Sequence, residues 1–158
     1  MKALGRRPCR RWLADLKAEA LAWWVSVSSD QRLQSVMRSH LRGVLLWQIF
    51  RTIRQRARPE KRVDAVVEFR ITGRRDGGID RYRLTLADGR CRTSRHDGPP
   101  ALTLELGPVA FLRLVSGTAS PTGLLLTGKL KLRGGLLLAL ALPTTLSIPR
   151  RRPRRRSG

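Results

Sequence analysis

The sequence predicts an α+β domain, and three observations carry that reading. Apolar residues recur at helical spacing from the N-terminal region up to Pro59. Apolar and polar residues then alternate along successive short stretches between Asp64 and Gly107. Helical spacing returns after Pro108, is interrupted by the alternating stretch GKLKLRGG at Gly128–Gly135, and ends in the wholly apolar run LLLALAL at Leu136–Leu142.

Residues 1–28 read as an appended helical arm, in which RRWLADLKAEALAWWV spaces Trp12, Leu13, Leu16, Ala20, Trp23 and Trp24 near helical period. Ser28 followed by Gln31 resembles a capping box that opens a second helix. That helix runs to the residues before Pro59. Its apolar positions change side midway, from Leu33, Met37 and Leu41 to Leu46, Ile49, Phe50 and Ile53. A kink, two helices meeting near Gly43, or one helix buried on two sides each accounts for the rotation.

In the first strand Val67, Phe69 and Ile71 alternate with Glu68, Arg70 and Thr72. RRDGGID supplies a hairpin turn, and Tyr82, Leu84 and Leu86 alternate with Arg83, Thr85 and Ala87. ADGR at Ala87–Arg90 is a second tight turn, CRTSRH a third and weaker strand, and Leu102, Leu104 and Leu106 form the inward face of a fourth. Four strands joined by short turns imply an antiparallel meander. Pro108 and Gly117 then bracket a helix with Phe111, Leu114 and Val115 on one face. Ser120 and Pro121 start another, KLKLRG is a fifth strand, and the apolar run is a short helix ended by Pro143.

The 158 residues suffice for one domain with extensions, and the hydrophobic 41% is aliphatic, since only 5% of the chain is aromatic. The formal net charge is +22, which predicts attraction to nucleic acid, anionic lipid surfaces or acidic proteins. Arg150, Arg151, Arg152, Arg154, Arg155 and Arg156 form a like-charge tail, expected to be disordered, yet without those six the chain is still at +16. Arg far outnumbers Lys, as in GC-rich bacterial genomes. Cys9 and Cys91 belong to no CxxC or Cys/His cluster. They read as idle thiols rather than a disulfide. With His40 and His96 they make no zinc site, and no metal or other cofactor is expected. There is no nucleophile elbow, P-loop or dinucleotide fingerprint, and the 11 acidic residues are scattered, so no enzyme is predicted. No signal-peptide pattern and no run of about 18 apolar residues occurs, which points to a cytoplasmic protein.

The second half nevertheless carries a specific series of motifs. A strand ending in ADG (Ala87–Gly89) precedes PALTLEL (Pro100–Leu106), FLRLVSG (Phe111–Gly117), Ser120–Pro121 and LTGKLKLRG (Leu126–Gly134), with an apolar helix behind. In this order and at this spacing the chain resembles the sterol carrier protein type 2 (sterol-transfer) family, over about Leu33 to Leu146. It departs from the family at Gly135, where members often carry an acidic residue that favours a helix start. The resemblance implies a curved, mostly antiparallel five-stranded sheet covered on one face by helices. It implies an apolar tunnel between the layers for an acyl chain, sterol or isoprenoid lipid, and no catalysis. The corresponding organisation is a helical arm at 1–28, a lipid-binding domain at 29–149 and a basic tail at 150–158.

Alternation in GKLKLRGG places Lys129, Lys131 and Arg133 on the solvent face and Leu130 and Leu132 on the covered one. A following helix with no polar side either fills an ordinary core or faces something apolar that is not protein. On the family's pattern the lipid contacts are expected from Phe69, Leu84, Leu86, Leu104 and Leu132 of the sheet and from Phe111, Val115, Leu125, Leu137 and Leu140 of the helices. The Arg-rich tail either holds the protein to an anionic membrane surface, at the inner face of the membrane, or simply improves solubility. Nucleic-acid binding is the alternative that the charge supports, against which few aromatic residues are placed to stack on bases. A third reading is an accessory factor that delivers lipid or quinone precursors to a separate enzyme. Oligomeric state leaves no mark in the sequence.

Overall fold

The computed structural model describes residues 19–59, 61–93 and 98–139. Cys9, Trp12, His96, Leu140, the end of the apolar run and the Arg-rich tail lie outside them.

Helix α1 occupies 19–27 and ends where the Ser28 N–H donates to the Trp24 carbonyl. Helix α2 (Asp30–Arg38) is capped by Ser29, whose hydroxyl accepts from the Arg32 N–H at 3.4 Å. The cap therefore sits one residue beyond the expected Ser28, which is buried and closes the preceding helix instead. Helix α3 (Arg42–Arg56) follows after a break at 39–41, just ahead of Gly43. Ser39 makes that corner, because its hydroxyl donates to the Val36 carbonyl and accepts from the Leu41 N–H. Two helices thus resolve the rotation in the pattern, with Leu33 and Met37 buried by one and Leu46, Ile49, Phe50 and Ile53 by the other. Leu41, Val44 and Trp47 are left exposed along α3, with the Arg51 guanidinium over the Trp47 ring.

The sheet has five strands in the order β3-β2-β1-β4-β5: β1 Ala65–Ile71, β2 Asp80–Ala87, β3 Arg90–Thr93, β4 Leu102–Leu106 and β5 Leu130–Gly134. Asp88 and Gly89, both at positive φ, make the tight β2–β3 turn. The expected four-strand meander stops at β3. Strand β4 crosses to the other side of β1 and pairs with it in parallel, while the remaining three pairings are antiparallel. Side-chain burial explains the choice. In β3 only Cys91 is buried, whereas β4 buries Leu102, Thr103, Leu104 and Leu106, which a central position beside β1 permits and an outer edge does not. Helices α4 (Pro108–Val115) and α5 (Pro121–Leu126) and a last helical turn α6 (136–139) complete the fold, with the Ser120 hydroxyl capping α5 through the Gly123 N–H at 3.0 Å.

Helices cover one face of the sheet. Across it run Val67, Phe69 and Ile71, then Tyr82, Leu84 and Leu86, then Leu102, Leu104 and Leu106, all on one side of the pleat. Cys91 lies on this face opposite Leu86, and burial pushes its thiol up to about 11.

On the opposite face Glu68 is not the solvated residue that alternation suggests but is fully buried. Its two carboxylate oxygens accept from Arg70 Nε and Arg83 Nε, each at 2.5 Å, and Arg83 also donates to the Gly98 carbonyl at 2.9 Å. Burial alone would raise the carboxyl pKa, but the hydrogen bonds and positive charge of Arg70 and Arg83 outweigh it and hold the group below its ordinary 4.5.

Arg42 joins the helical and sheet layers. It is 7% exposed. Its guanidinium donates to the Asp80 carboxylate at 2.7 Å and to the carbonyls of Met37, Ile71, Thr72 and Gly73 at 2.8–3.3 Å. Planar, forked donors suit this cluster, and an ammonium does not.

Arg42→Ala is expected to lower the unfolding free energy by about 3 kcal/mol, because four carbonyls lose a donor and Asp80 is left with Arg74 alone, at 3.5 Å. Arg42→Lys should recover little of it, and denaturant titration of both variants checks this. A second expectation follows from Glu68. A carboxyl with a depressed folded pKa contributes stability above its unfolded value, and that contribution disappears as the pH falls through the folded value. Thermal melts of the wild type and Glu68→Gln should therefore differ at neutral pH and converge as the pH drops below 4.5.

Candidate functional site

The site is built along one row of the covered face. Backbone register aligns Tyr82 of β2, Phe69 of β1, Leu104 of β4 and Leu132 of β5, side by side across four strands. Phe50 from α3 and Phe111 from α4 close one end of the row. Phe50 stacks on Tyr82 with centroids 4.1 Å apart and meets Phe69 edge-on at 5.4 Å. Phe111 lies 5.5 Å from Phe50 and 6.5 Å from Phe69. Burial and, behind it, the Asp80 carboxylate push the Tyr82 phenol above its ordinary 10.0, so its hydroxyl stays neutral.

Toward β5 the covering thins. Phe69, Leu104 and Phe111 are buried, but Leu132 is only partly so. Beyond it Leu125 of α5 is 38% exposed and Leu137 of α6 is 83% exposed. Their neighbours Leu126 and Leu136 stand in solvent too. The row is therefore buried at its centre and partly buried at both ends, with an aromatic cluster at Tyr82 and, past Leu132, leucines that stand exposed.

The expected lining residues divide accordingly. Phe69, Leu84, Leu86, Leu104 and Phe111 are buried on the covered face, and Val115 is partly buried against the same core. Leu84 lies beside Val67 and Leu86 beside Ala65, on the β2 side of the sheet, separated from β5 by β1 and β4. Leu125, Leu132 and Leu137 flank the thinly covered end. Leu140 and the six tail arginines are outside the described residues. Phe50 and Tyr82 were not among the expected lining residues. The signal for Phe50 was its place on the second apolar side of the long helical stretch, which becomes the sheet-facing side of α3.

Two glycines shape the open end. Gly134 adopts φ +112°, and a Cβ there would lie 2.2 Å from the Ala101 carbonyl oxygen. Next to it the Gly135 N–H donates to that same carbonyl at 3.1 Å, and the Gly135 carbonyl accepts from the Ala139 N–H. The turn into α6 is thus made by backbone, without the acidic residue the family often has.

The cations of the half-basic strand alternate outward as expected. Leu130 is buried, Lys131 and Arg133 are exposed, and Lys131 Nζ reaches the Glu105 carboxylate at 3.6 Å. Among the described residues no group of three His, Cys, Asp or Glu side chains could hold a metal ion, and no helix is long and apolar enough to cross a membrane.

The sequence profile of the SCP-2 sterol transfer family matches residues 48–147, well over half of the chain. The chain belongs to that family. Among solved structures, sterol carrier protein 2 like 2 from Aedes aegypti superposes with a TM-score of 0.51 at 22% identity, over 65% of this chain and 96% of that one. The MycE methyltransferase of mycinamycin biosynthesis superposes with a TM-score of 0.60 at 15% identity, over 86% of this chain and 41% of the enzyme. That coverage exceeds residues 48–158, so the shared fold takes in helical residues upstream of the family match. At these identities both likenesses concern the fold alone. No curated protein matches the chain significantly by sequence. The five-stranded mixed sheet with helices is the SCP-2 architecture.

Gly134→Ala is expected to cost at least about 2 kcal/mol, since it adds positive-φ strain to a clash with backbone that cannot rotate away. A urea unfolding midpoint equal to that of the wild type would show that β5 and Ala101 do not approach this closely.

Proposed function

We propose that this SCP-2 family member is a non-catalytic lipid carrier that holds one acyl chain, sterol or isoprenoid lipid between the helices and the sheet. The polar end of the lipid would sit toward β5. The observation that carries the reading is the contrast between the two ends of the Tyr82–Phe69–Leu104–Leu132 row: an aromatic cluster packs over Tyr82 and Phe69, whereas past the partly buried Leu132 the leucines Leu125, Leu126, Leu136 and Leu137 are exposed. Exposed leucines beside a continuous apolar row gain roughly 0.8 kcal/mol for each ligand methylene they help to remove from water, so a long chain binds without a polar anchor. In this reading Leu104, Val115, Leu125, Leu132 and Leu137 touch the lipid. Phe50, Phe69, Tyr82 and Phe111 form the aromatic end, and Leu84 and Leu86 support the sheet behind it. Family membership supports lipid transfer as the role. The Arg-rich tail supplies long-range attraction to an anionic membrane, at about 1 kcal/mol per Arg held near the surface.

Native mass spectrometry of the purified protein, with organic extraction of what it carries, tests the proposal. One lipid per chain is expected, or uptake to that ratio on titration with palmitate, cholesterol or a polyprenyl quinone. Leu137→Glu should reduce occupancy while its melting temperature stays near that of the wild type, because the side chain is exposed. An apo mass that takes up none of the three would overturn it.

A further inference from the structure

We propose that the free edge of β5 is the docking surface for an anionic phospholipid bilayer, with Leu126 and Leu136 entering the headgroup layer and Lys129, Lys131 and Arg133 pairing with lipid phosphates. The inference rests on the lipid-carrier reading and adds an orientation to it.

Strand β5 ends the sheet, so one of its edges pairs with β4 and the other has no strand partner among the described residues. Exposed leucines bracket the strand in the chain, Leu125 and Leu126 before it and Leu136 and Leu137 after it, and Leu126 is 83% exposed. Between them stand three outward cations. Lys131 remains largely exposed despite Glu105, and Lys129 and Arg133 have no carboxylate within ion-pair distance among the described residues. Cations on an edge strand guard against unwanted strand pairing. That accounts for Lys131 but leaves four solvent-exposed leucines unexplained. A second copy paired along the same edge would bring the cations of the two strands together and repel. A nucleic acid would satisfy the cations and leave the leucines wet. An anionic bilayer offers phosphate and hydrocarbon a short depth apart, and an edge strand with cations on its outward face and exposed leucines on the helices over its other face presents a partner for each. Docked this way, the thinly covered end at Leu125, Leu132 and Leu137 faces the membrane, and a lipid can pass without its chain crossing water.

Co-sedimentation of the full chain with phosphatidylcholine vesicles, with and without phosphatidylglycerol, tests the assignment. The wild type is expected to bind the mixed vesicles and to release them at high salt. The triple variant Lys129→Gln, Lys131→Gln, Arg133→Gln should lose about tenfold or more in affinity. The double variant Leu126→Ser, Leu136→Ser should lose binding as well, and both should keep the wild-type circular dichroism spectrum. Lipid occupancy by native mass spectrometry is read on the same proteins. A wild type that binds vesicles through these residues but never carries lipid would uphold the docking surface and refute the carrier. The docking surface is overturned if the wild type ignores mixed vesicles, or if both edge variants bind as it does. It is equally overturned if binding is lost only on removal of residues 150–158 or in Trp47→Ser.

Discussion

The fold depends on a single buried guanidinium. Arg42 opens α3 and reaches across to the end of β1 and the start of β2, where it donates to the carbonyls of Ile71, Thr72 and Gly73 and to the Asp80 carboxylate. It also accounts for the carbonyl of Met37 at the end of α2. One side chain thereby fixes where the helix corner sits on the sheet. The placement of Phe50 two turns further along α3, flat against Tyr82, follows from that anchor. A hydrophobic layer alone slides. A directional, charge-assisted network does not, and here it sets the aromatic end of the Tyr82–Leu132 row.

The two faces of the sheet are organised by different physics. The helix-covered face is apolar, with an aromatic cluster toward β2 and exposed leucines toward β5. The other face carries the Glu68 carboxylate between Arg70 and Arg83, so that at its centre one of two positive charges is neutralised. Strand β5 is where the two regimes meet at an edge, with leucines on one side of the pleat and cations on the other. In a protein that shuttles an apolar cargo, that edge serves both requirements: attraction to a charged surface and continuity with an apolar interior.

Much of this was legible in the sequence. Period-two alternation identified four of the five strands, the third following more weakly from the ADGR turn, and GKLKLRGG announced both faces of β5. The Ser120–Pro121 start of α5 and the ADGR turn were readable because local chemistry determines them. Three features were not. Ser28 and Ser29 are both competent caps, and only the end of α1 decides between them. The parallel pairing of β4 with β1 is a choice among distant partners that turn residues cannot report. Glu68 and Arg42 look like surface residues in a basic chain, because burial of a charge depends on partners 15 and 38 positions away. The candidate site divided on the same principle: alternation finds which side chains point inward, but not where the helical cover ends.

Cys91 has a consequence of another kind. Its side chain is turned into the core from β3, and at neutral pH the thiolate is scarce because burial holds the proton on sulfur. Oxidants and thiol-exchange partners need the thiolate and a path to it. The folded domain is accordingly indifferent, through this residue, to the redox poise of its surroundings. Exposure of that sulfur reports unfolding of β3 rather than any change of compartment.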